Sequence, residues 1–277
     1  MQHVEFLDTD HFHNNYHRVP PAPQLAHFID FFWETKFNHL WKQYPEGFSD
    51  VLFPNIGYTY LVNLGTPFVM QVDDEQFIMK TDGFLPRHAS IECHHQPGNI
   101  LFGIKFRISP IIFEKKVNFS EYRRSIFPLS YLIDKDVVMQ VKDAPDFKKR
   151  VAMLNQYFGG IVAKFDGSLR PITIVSEIIN ACNKENNFTI SIEEMAVKYA
   201  LSTRTLQRYF ENATSLSSKK TLQILRIRKA VEQLALSAAE FDYKDYGYYD
   251  YSHFHKHLRK FLHKNALKKL LSNSYNH

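Results

Sequence analysis

Arg204, Gln207, Arg208 and Glu211 stand at i, i+3, i+4 and i+7, the spacing that gathers side chains on one face of a helix. Arg can bond guanine O6 and N7 together, and Gln can bond adenine N6 and N7 together. A helix that turns both outward can therefore read base edges in a major groove. Ser252, His255, Lys256, Arg259 and His263 make a second such face. His88, Cys93, His94 and His95 are the other side chains with chemical potential, since thiolate and imidazole ligate zinc and other transition metals. Neighbours on a strand point to opposite faces. That leaves Cys93 with His95, or His94 with His88, and neither pair completes a four-ligand set, so the cluster is read as structural. No glycine-rich phosphate loop, G-x-S-x-G elbow or H-E-x-x-H helix occurs. The expectation is a protein that is not an enzyme and has no metal or cofactor.

The two polar faces need helices to carry them, and the flanking residues supply the signals. Ser191 and Glu194 have capping-box spacing, so a helix starts at Ile192. Ile192, Met195, Ala196 and Tyr199 face inward, and the helix ends near Ala200. Leu201-Ser202 makes a turn, and Ser202 caps a second helix that starts at Thr203 and buries Leu206, Tyr209 and Phe210. A short helix, a tight turn and a second helix are the layout of a helix-turn-helix, whose second helix lies in a major groove. Ser218 to Leu236 then reads as a long amphipathic helix, apolar at Leu222, Leu225, Val231 and Leu234. Lys219, Lys220, Arg226, Arg228 and Lys229 form its polar face. It would span about 28 Å. After a short segment, 238–246, and a turn at Gly247, Asp250 caps a last helix that buries Phe254, Leu258, Phe261 and Leu262. Two helix-turn-helix units on one rod suit successive major grooves, about 34 Å apart.

The first part of the chain has another texture. Nine of ten glycines and all twelve prolines lie at or before Pro171. Short runs rich in aromatic and β-branched residues predict strands at 50–53, 58–64, 67–72, 76–79 and 100–106. Leu25–Trp33 fits a strand or a short helix. Asp146–Phe158 reads as a helix stopped by Gly159-Gly160. Val175, Ile178, Ile179 and Cys182 form one helical stripe. The boundary is placed within Lys164–Pro171. The fold class is then α+β, with a β-rich domain at 1–170 and an all-α double helix-turn-helix domain at 171–277. Residues 171–277 hold 16 Lys and Arg against 10 Asp and Glu, so the whole +5 excess of the chain sits there. A basic domain beside a near-neutral one suggests a polyanion partner.

The remaining composition bounds the setting. With 44% hydrophobic residues in 277 the chain can bury a core. No apolar run is long enough for a membrane helix, and Met1–Tyr16 is polar, so a cytoplasmic protein without a membrane partner is expected. Two distant cysteines, Cys93 and Cys182, exclude a disulfide framework. His11, His13 and His17 are read as part of a mobile tail. Aromatics make up 15% of the chain. They are read as core of the β-rich domain, with some free to line an apolar effector pocket.

Ser191–Ala196, Leu201–Phe210 and Gly247–Phe254 together resemble the DNA-binding domain of AraC-type transcription regulators. The last string is close to that family's G-[FY]-x-D-x-S-H-F, and the resemblance covers residues 171–265. It implies that Thr203, Arg204, Gln207 and Arg208 face double-stranded DNA in the first unit, and Tyr251, Ser252, His255 and Lys256 in the second. Arg259 continues that outer face, and Lys219 and Lys220 are read as backbone contacts. Pro45–Leu52 and Phe102–Arg107 are similar to an uncharacterised sensory-type domain that precedes some AraC-type modules. This implies a β-rich domain that senses a small-molecule effector or forms a homodimer. RNA polymerase is the implied partner if the protein is an activator.

The chain departs from the family in two ways. The Gly and Ser/Thr-Pro that usually follow each unit are missing from Ala213–Ser218 and from His263–Leu267. Asp242 and Tyr243 stand where the family has an apolar and then a small residue. A bulky Tyr at a tight helix crossing shifts the packing. The second unit is therefore expected to be reshaped, with base reading mainly by the first. An alternative follows from the same departures: a ligand- or protein-binding module whose helical domain has lost sequence-specific DNA recognition.

Overall fold

The computed structural model describes residues 11, 14–72, 74–88, 90–115 and 125–262. In β4 (Tyr58–Asn63), Tyr58, Tyr60 and Val62 join one apolar cluster, and Leu61 joins another. β9 (Ile100–Phe106) divides alike, with Phe102, Ile104 and Phe106 on one side and Leu101 on the other. Successive strand residues face opposite sides, so the sheet holding both strands is buried on two faces. This is why these strands read as near-continuous apolar runs.

That sheet has the order β1-β2-β9-β4-β7-β10, with β1 (Tyr16–Val19), β2 (Ile29–Lys36), β7 (Gly83–Pro86) and β10 (Phe127–Pro128). One face packs on a four-stranded sheet of order β3-β8-β5-β6. Its strands are β3 (Ser49–Leu52), β5 (Phe68–Val72), β6 (Glu75–Met79) and β8 (Ile91–His94). The pairings among the described residues are antiparallel. Trp33 of β2 lies opposite Gly103 of β9. A Cβ at Gly103 would come within 2.2 Å of the indole, so the close approach requires glycine. The five expected strands correspond to β3, β4, β5, β6 and β9. Leu25–Trp33 resolves into both of its alternatives, a 3₁₀ turn at Pro23–Leu25 and then β2.

The other face of the six-stranded sheet packs on helices. α1 (Asn38–Gln43) caps the intersheet space, and α2 (Lys135–Asp143) and α3 (Phe147–Lys164) follow the strands. α3 does not stop at Gly159-Gly160, as the sequence predicts. Each glycine costs a helix about 1 kcal/mol relative to alanine. Ile161 just beyond them is buried in the main apolar cluster beside Leu154 and Phe158, and one such burial is worth about 1.5–3 kcal/mol. Tertiary packing therefore carries the helix on to Lys164. Residues 165–169 then lead into α4 (Arg170–Glu185), and the same apolar cluster continues into the C-terminal helices.

Local signals set the ends of the C-terminal helices. Pro171 sits in the first turn of α4, where its missing N–H costs nothing, and Asn186 ends the helix in a left-handed conformation, φ 52°. α5 (Ile192–Lys198) opens with the expected capping box. The Ser191 hydroxyl accepts from Glu194 N–H and the Glu194 carboxylate accepts from Ser191 N–H. Those bonds hold the Glu194 carboxyl below its usual range. Ser202 caps α6 (Thr203–Thr214), Ser217 caps α7 (Ser218–Leu236) and Asp250 caps α8 (Tyr251–Phe261).

Two further expectations need correction. α7 is not amphipathic but enclosed nearly all round, as a core helix is. Arg226 and Arg228, expected on its outer face, are buried with Leu225, Ile227 and Glu232. Arg226 lies over the Tyr248 ring, 4.2 Å from its centroid, and donates to Gly247 O at 3.3 Å. Arg228 donates to Pro54 O at 3.4 Å and pairs with Glu232 at 3.8 Å. Burial pushes the Glu232 carboxyl up against the opposing pull of Arg228. The second correction is His11. It is no tail residue: it is buried, stacks on Phe37 at 5.3 Å and bonds Thr35 Oγ1 at 2.8 Å. His17 lies in β1, and His13 and His263 fall outside the described residues.

Candidate nucleic-acid interface

α5 and α6 make the first helix pair. The turn between them places Ala200 at φ 52°, and its geometry is fixed by Leu201 N–H bonding back to Ala196 O at 2.9 Å. Leu206 and Phe210 anchor α6 in the core. The opposite face leaves Thr203, Arg204 and Arg208 exposed. Gln207 behaves differently. It is half-buried, its amide N–H donates to Glu211 at 3.0 Å, and its carbonyl oxygen accepts from the Ser218 hydroxyl at 2.9 Å. The face that spacing defines is thus present, but its glutamine ties α6 to the start of α7. Lys219 and Lys220 are exposed in that first turn.

The second pair is reshaped. The segment before α8 forms two 3₁₀ turns, Ala238–Glu240 and Tyr243–Tyr246, instead of an α-helix. Asp242 is the physical cause of the break. Its carboxylate accepts from Lys244 N–H at 2.9 Å, a cap that starts a new turn. The Tyr243 ring then stacks on Phe254 at 6.3 Å and meets Tyr251 edge-on at 5.9 Å. Gly247, at φ 73°, turns the chain into α8. Phe254, Leu258 and Phe261 are buried, and Tyr251, Ser252, His255, Lys256, Arg259 and Lys260 line a shallow outward concavity.

The β region touches the ends of both outward helices. Ser215, the residue that ends α6, accepts a hydrogen bond from Tyr58 OH of β4 at 3.0 Å. Phe261, the last residue of α8, stacks on Phe53 at 5.7 Å, and its carbonyl accepts from Ser90 Oγ at 3.0 Å. With Arg228 on Pro54 between them, residues 53–58 reach α6, α7 and α8 together. An antiparallel β region thus contacts a helix pair, a long helix and a last helix preceded by two 3₁₀ turns.

No family model matches the chain, and no curated protein matches it. Among solved structures it is similar to ToxT from Vibrio cholerae, at 9% identity and a TM-score of 0.45, over 93% of this chain and 98% of that one. Unsaturated fatty acid bound ToxT from Vibrio cholerae strain SCE256 aligns at 8% identity and a TM-score of 0.44, over 81% of this chain and 91% of that one. CuxR, an AraC-like transcriptional activator, aligns at 8% identity and a TM-score of 0.32, over 81% and 89%.

The His/Cys cluster has a definite place in the β region. Cys93 and His95 face the space between the two sheets, with His11, Thr35 and Asp50, around a cavity of about 20 Å³, room for about one water. Asn99 Nδ2 donates to Thr66 O, so its oxygen faces His95 Nδ1 at 2.8 Å and that nitrogen carries the proton. His95 Nε2 and Asp50 Oδ1 are buried without a hydrogen-bond partner, and His95 Nε2 lies 3.9 Å from Asp50 Oδ2. Among the described residues no three His, Cys, Asp or Glu side chains gather as a metal site, and no helix is long and apolar enough to cross a membrane. The sequence reading missed Asp50. It also passed over His253, His257 and Lys260, which flank the outer face of α8 rather than lie at its centre.

Proposed function

We propose that this protein is a sequence-specific DNA-binding transcription regulator that reads bases chiefly through α6 and reads or grips DNA through α8. The observation that carries the reading is the pair of outward helices, one with Arg204 and Arg208 exposed and one with Ser252, Lys256 and Arg259 exposed, joined by α7. Those side chains present guanidinium and ammonium donors, and they stand on helices whose opposite faces are fixed in the core. Arg204 and Arg208 are the base readers, and Thr203 stands at the entry of the helix. Gln207 joins them only if its bonds to Glu211 and Ser218 are exchanged for bonds to a base. Tyr251, Ser252, His255, Lys256 and Arg259 form the second contact face, and Lys219 and Lys220 meet phosphates. We keep the domain boundary within Lys164–Pro171, with a β-rich domain at 1–170 and a helical domain at 171–277.

An effector response belongs to the same reading. Its candidate site is the space between the two sheets, where Asp50 Oδ1 and His95 Nε2 lack a hydrogen-bond partner; the cavity there holds about one water, so an effector would enter by parting the sheets. Activation through RNA polymerase, dimerisation through the β region and a cytoplasmic location complete the proposal. The rival reading, a module that has lost base recognition, draws on the broken helix at 238–246.

Two substitutions separate the readings. Arg204→Ala should cost about 1–3 kcal/mol and relax preference at one base position, whereas Lys219→Ala should weaken all duplexes alike and flatten the salt dependence. Equal loss on every sequence for both variants, measured by fluorescence anisotropy across salt concentrations, would favour the rival.

A further inference from the structure

We infer that Lys220, His253, His257 and Lys260 form a proton-linked seat for a DNA backbone phosphate, set between the two outward helices. The inference rests on the DNA-binding reading above. His253 and His257 lie one turn apart on α8, with ring centroids 4.7 Å apart. Both are half-buried on its flank. Tyr248, from the turn before α8, packs against both rings, at 5.3 and 5.6 Å, and its hydroxyl lies 3.4 Å from His257 Nδ1. Burial holds that phenol neutral, pushed up to about 12. Lys260 follows His257 by three residues, one turn further along α8, and is exposed. From α7 come Arg226, beneath the Tyr248 ring, and Lys220, exposed in the first turn. The same turn of α7 is bonded to α6 through Ser218 and Gln207. The cluster therefore stands beside the joint between the two helices proposed to enter successive grooves, where the phosphate backbone must pass.

The electrostatics of the cluster suit an anion. Among the described residues, the ionisable groups whose charge bears on His257 are His253, Arg226, Lys260 and Lys220, all basic. Burial and these neighbours push its imidazole down to about 4, so it is neutral in the free protein near neutral pH. A phosphodiester seated there reverses the local balance and favours the charged imidazolium. The group then has a higher pKa in the complex than in the free protein, and the complex takes up protons. The contribution is complete only below about 4. It declines as pH rises through the value in the complex, so affinity strengthens as pH falls, by at most about tenfold per pH unit for one proton.

The test is anisotropy of a labelled mixed-sequence duplex with the full chain at fixed ionic strength, from about pH 8 to about pH 6. The wild type should bind several-fold more tightly at the lower pH. His257→Gln should reduce that slope by its share of the proton uptake. Arg204→Ala should weaken binding and keep the slope. Lys260→Gln, an exposed change that leaves the fold intact, should lift the imidazole's resting value and move the pH window upward. A slope unaltered in both His257→Gln and Lys260→Gln, or tight binding without any slope, would overturn the seat. Absence of duplex binding at every pH would overturn the DNA-binding reading, and the seat with it.

Discussion

Gln207 lies on the face that sequence spacing assigns to DNA, yet its amide already bonds Glu211 and Ser218. Spacing shows which way a side chain leaves the helix. It does not show which neighbour lies within reach, because Ser218 is brought there by the turn after α6. Arg226 and Arg228 make the same point more strongly. In sequence a cation in a long helix reads as solvated, and partners such as Tyr248, Gly247, Pro54 and Glu232 help make its burial tolerable. Ser215 shows the reverse case. Ser215 stands where the backbone is left-handed, φ 59°, and serine bears that strain while its hydroxyl bonds Tyr58. Tyr58→Phe and Ser215→Ala should each destabilise the protein by about 1 kcal/mol, and the double mutant should lose less than the sum. Denaturant unfolding of the three variants measures this. Strict additivity would show that the bond contributes nothing.

At the scale of elements, the helices with caps were the most legible. Ser191 with Glu194, Ser202 and Asp250 announce their helices because a cap is a local bond between near neighbours in the chain. The strands buried on two faces were legible as apolar runs. β1, β7, β8 and β10 were missed, being four residues or fewer with little apolar pattern to show. The continuation of α3 through two glycines was hidden because its cause, the burial of Ile161, is tertiary. The turn inside the first helix pair gives a clean prediction. Ala200 is exposed and left-handed, φ 52°, a conformation that costs an L-residue about 1–2 kcal/mol. Ala200→Gly should raise stability by about 0.5–1 kcal/mol after the greater freedom of glycine in the unfolded chain is subtracted. A higher urea midpoint with unchanged DNA affinity is the expected result. A lower midpoint would mean that the turn is not formed as described.

At the scale of the molecule, the two outward helices are not independent. Residues 53–58 and Ser90 bond or stack on Ser215, Arg228 and Phe261, so the β region braces the spacing of α6 and α8. This arrangement was not legible in sequence, since each contact joins residues more than 150 positions apart. The α+β order, the basic C-terminal part and the first helix pair were legible, because composition and periodicity are carried along the chain itself. Under the proposed DNA-binding function, the brace predicts recognition of one fixed site geometry rather than of two freely spaced half-sites. Selection of bound sequences from randomised duplexes by the full chain tests this claim directly. The account predicts two short enriched blocks with centres about 10–10.5 base pairs apart, the block read by α6 blurred in Arg204→Ala. Binding that disappears with salt and enriches no sequence, in the wild type as in the variant, would contradict it.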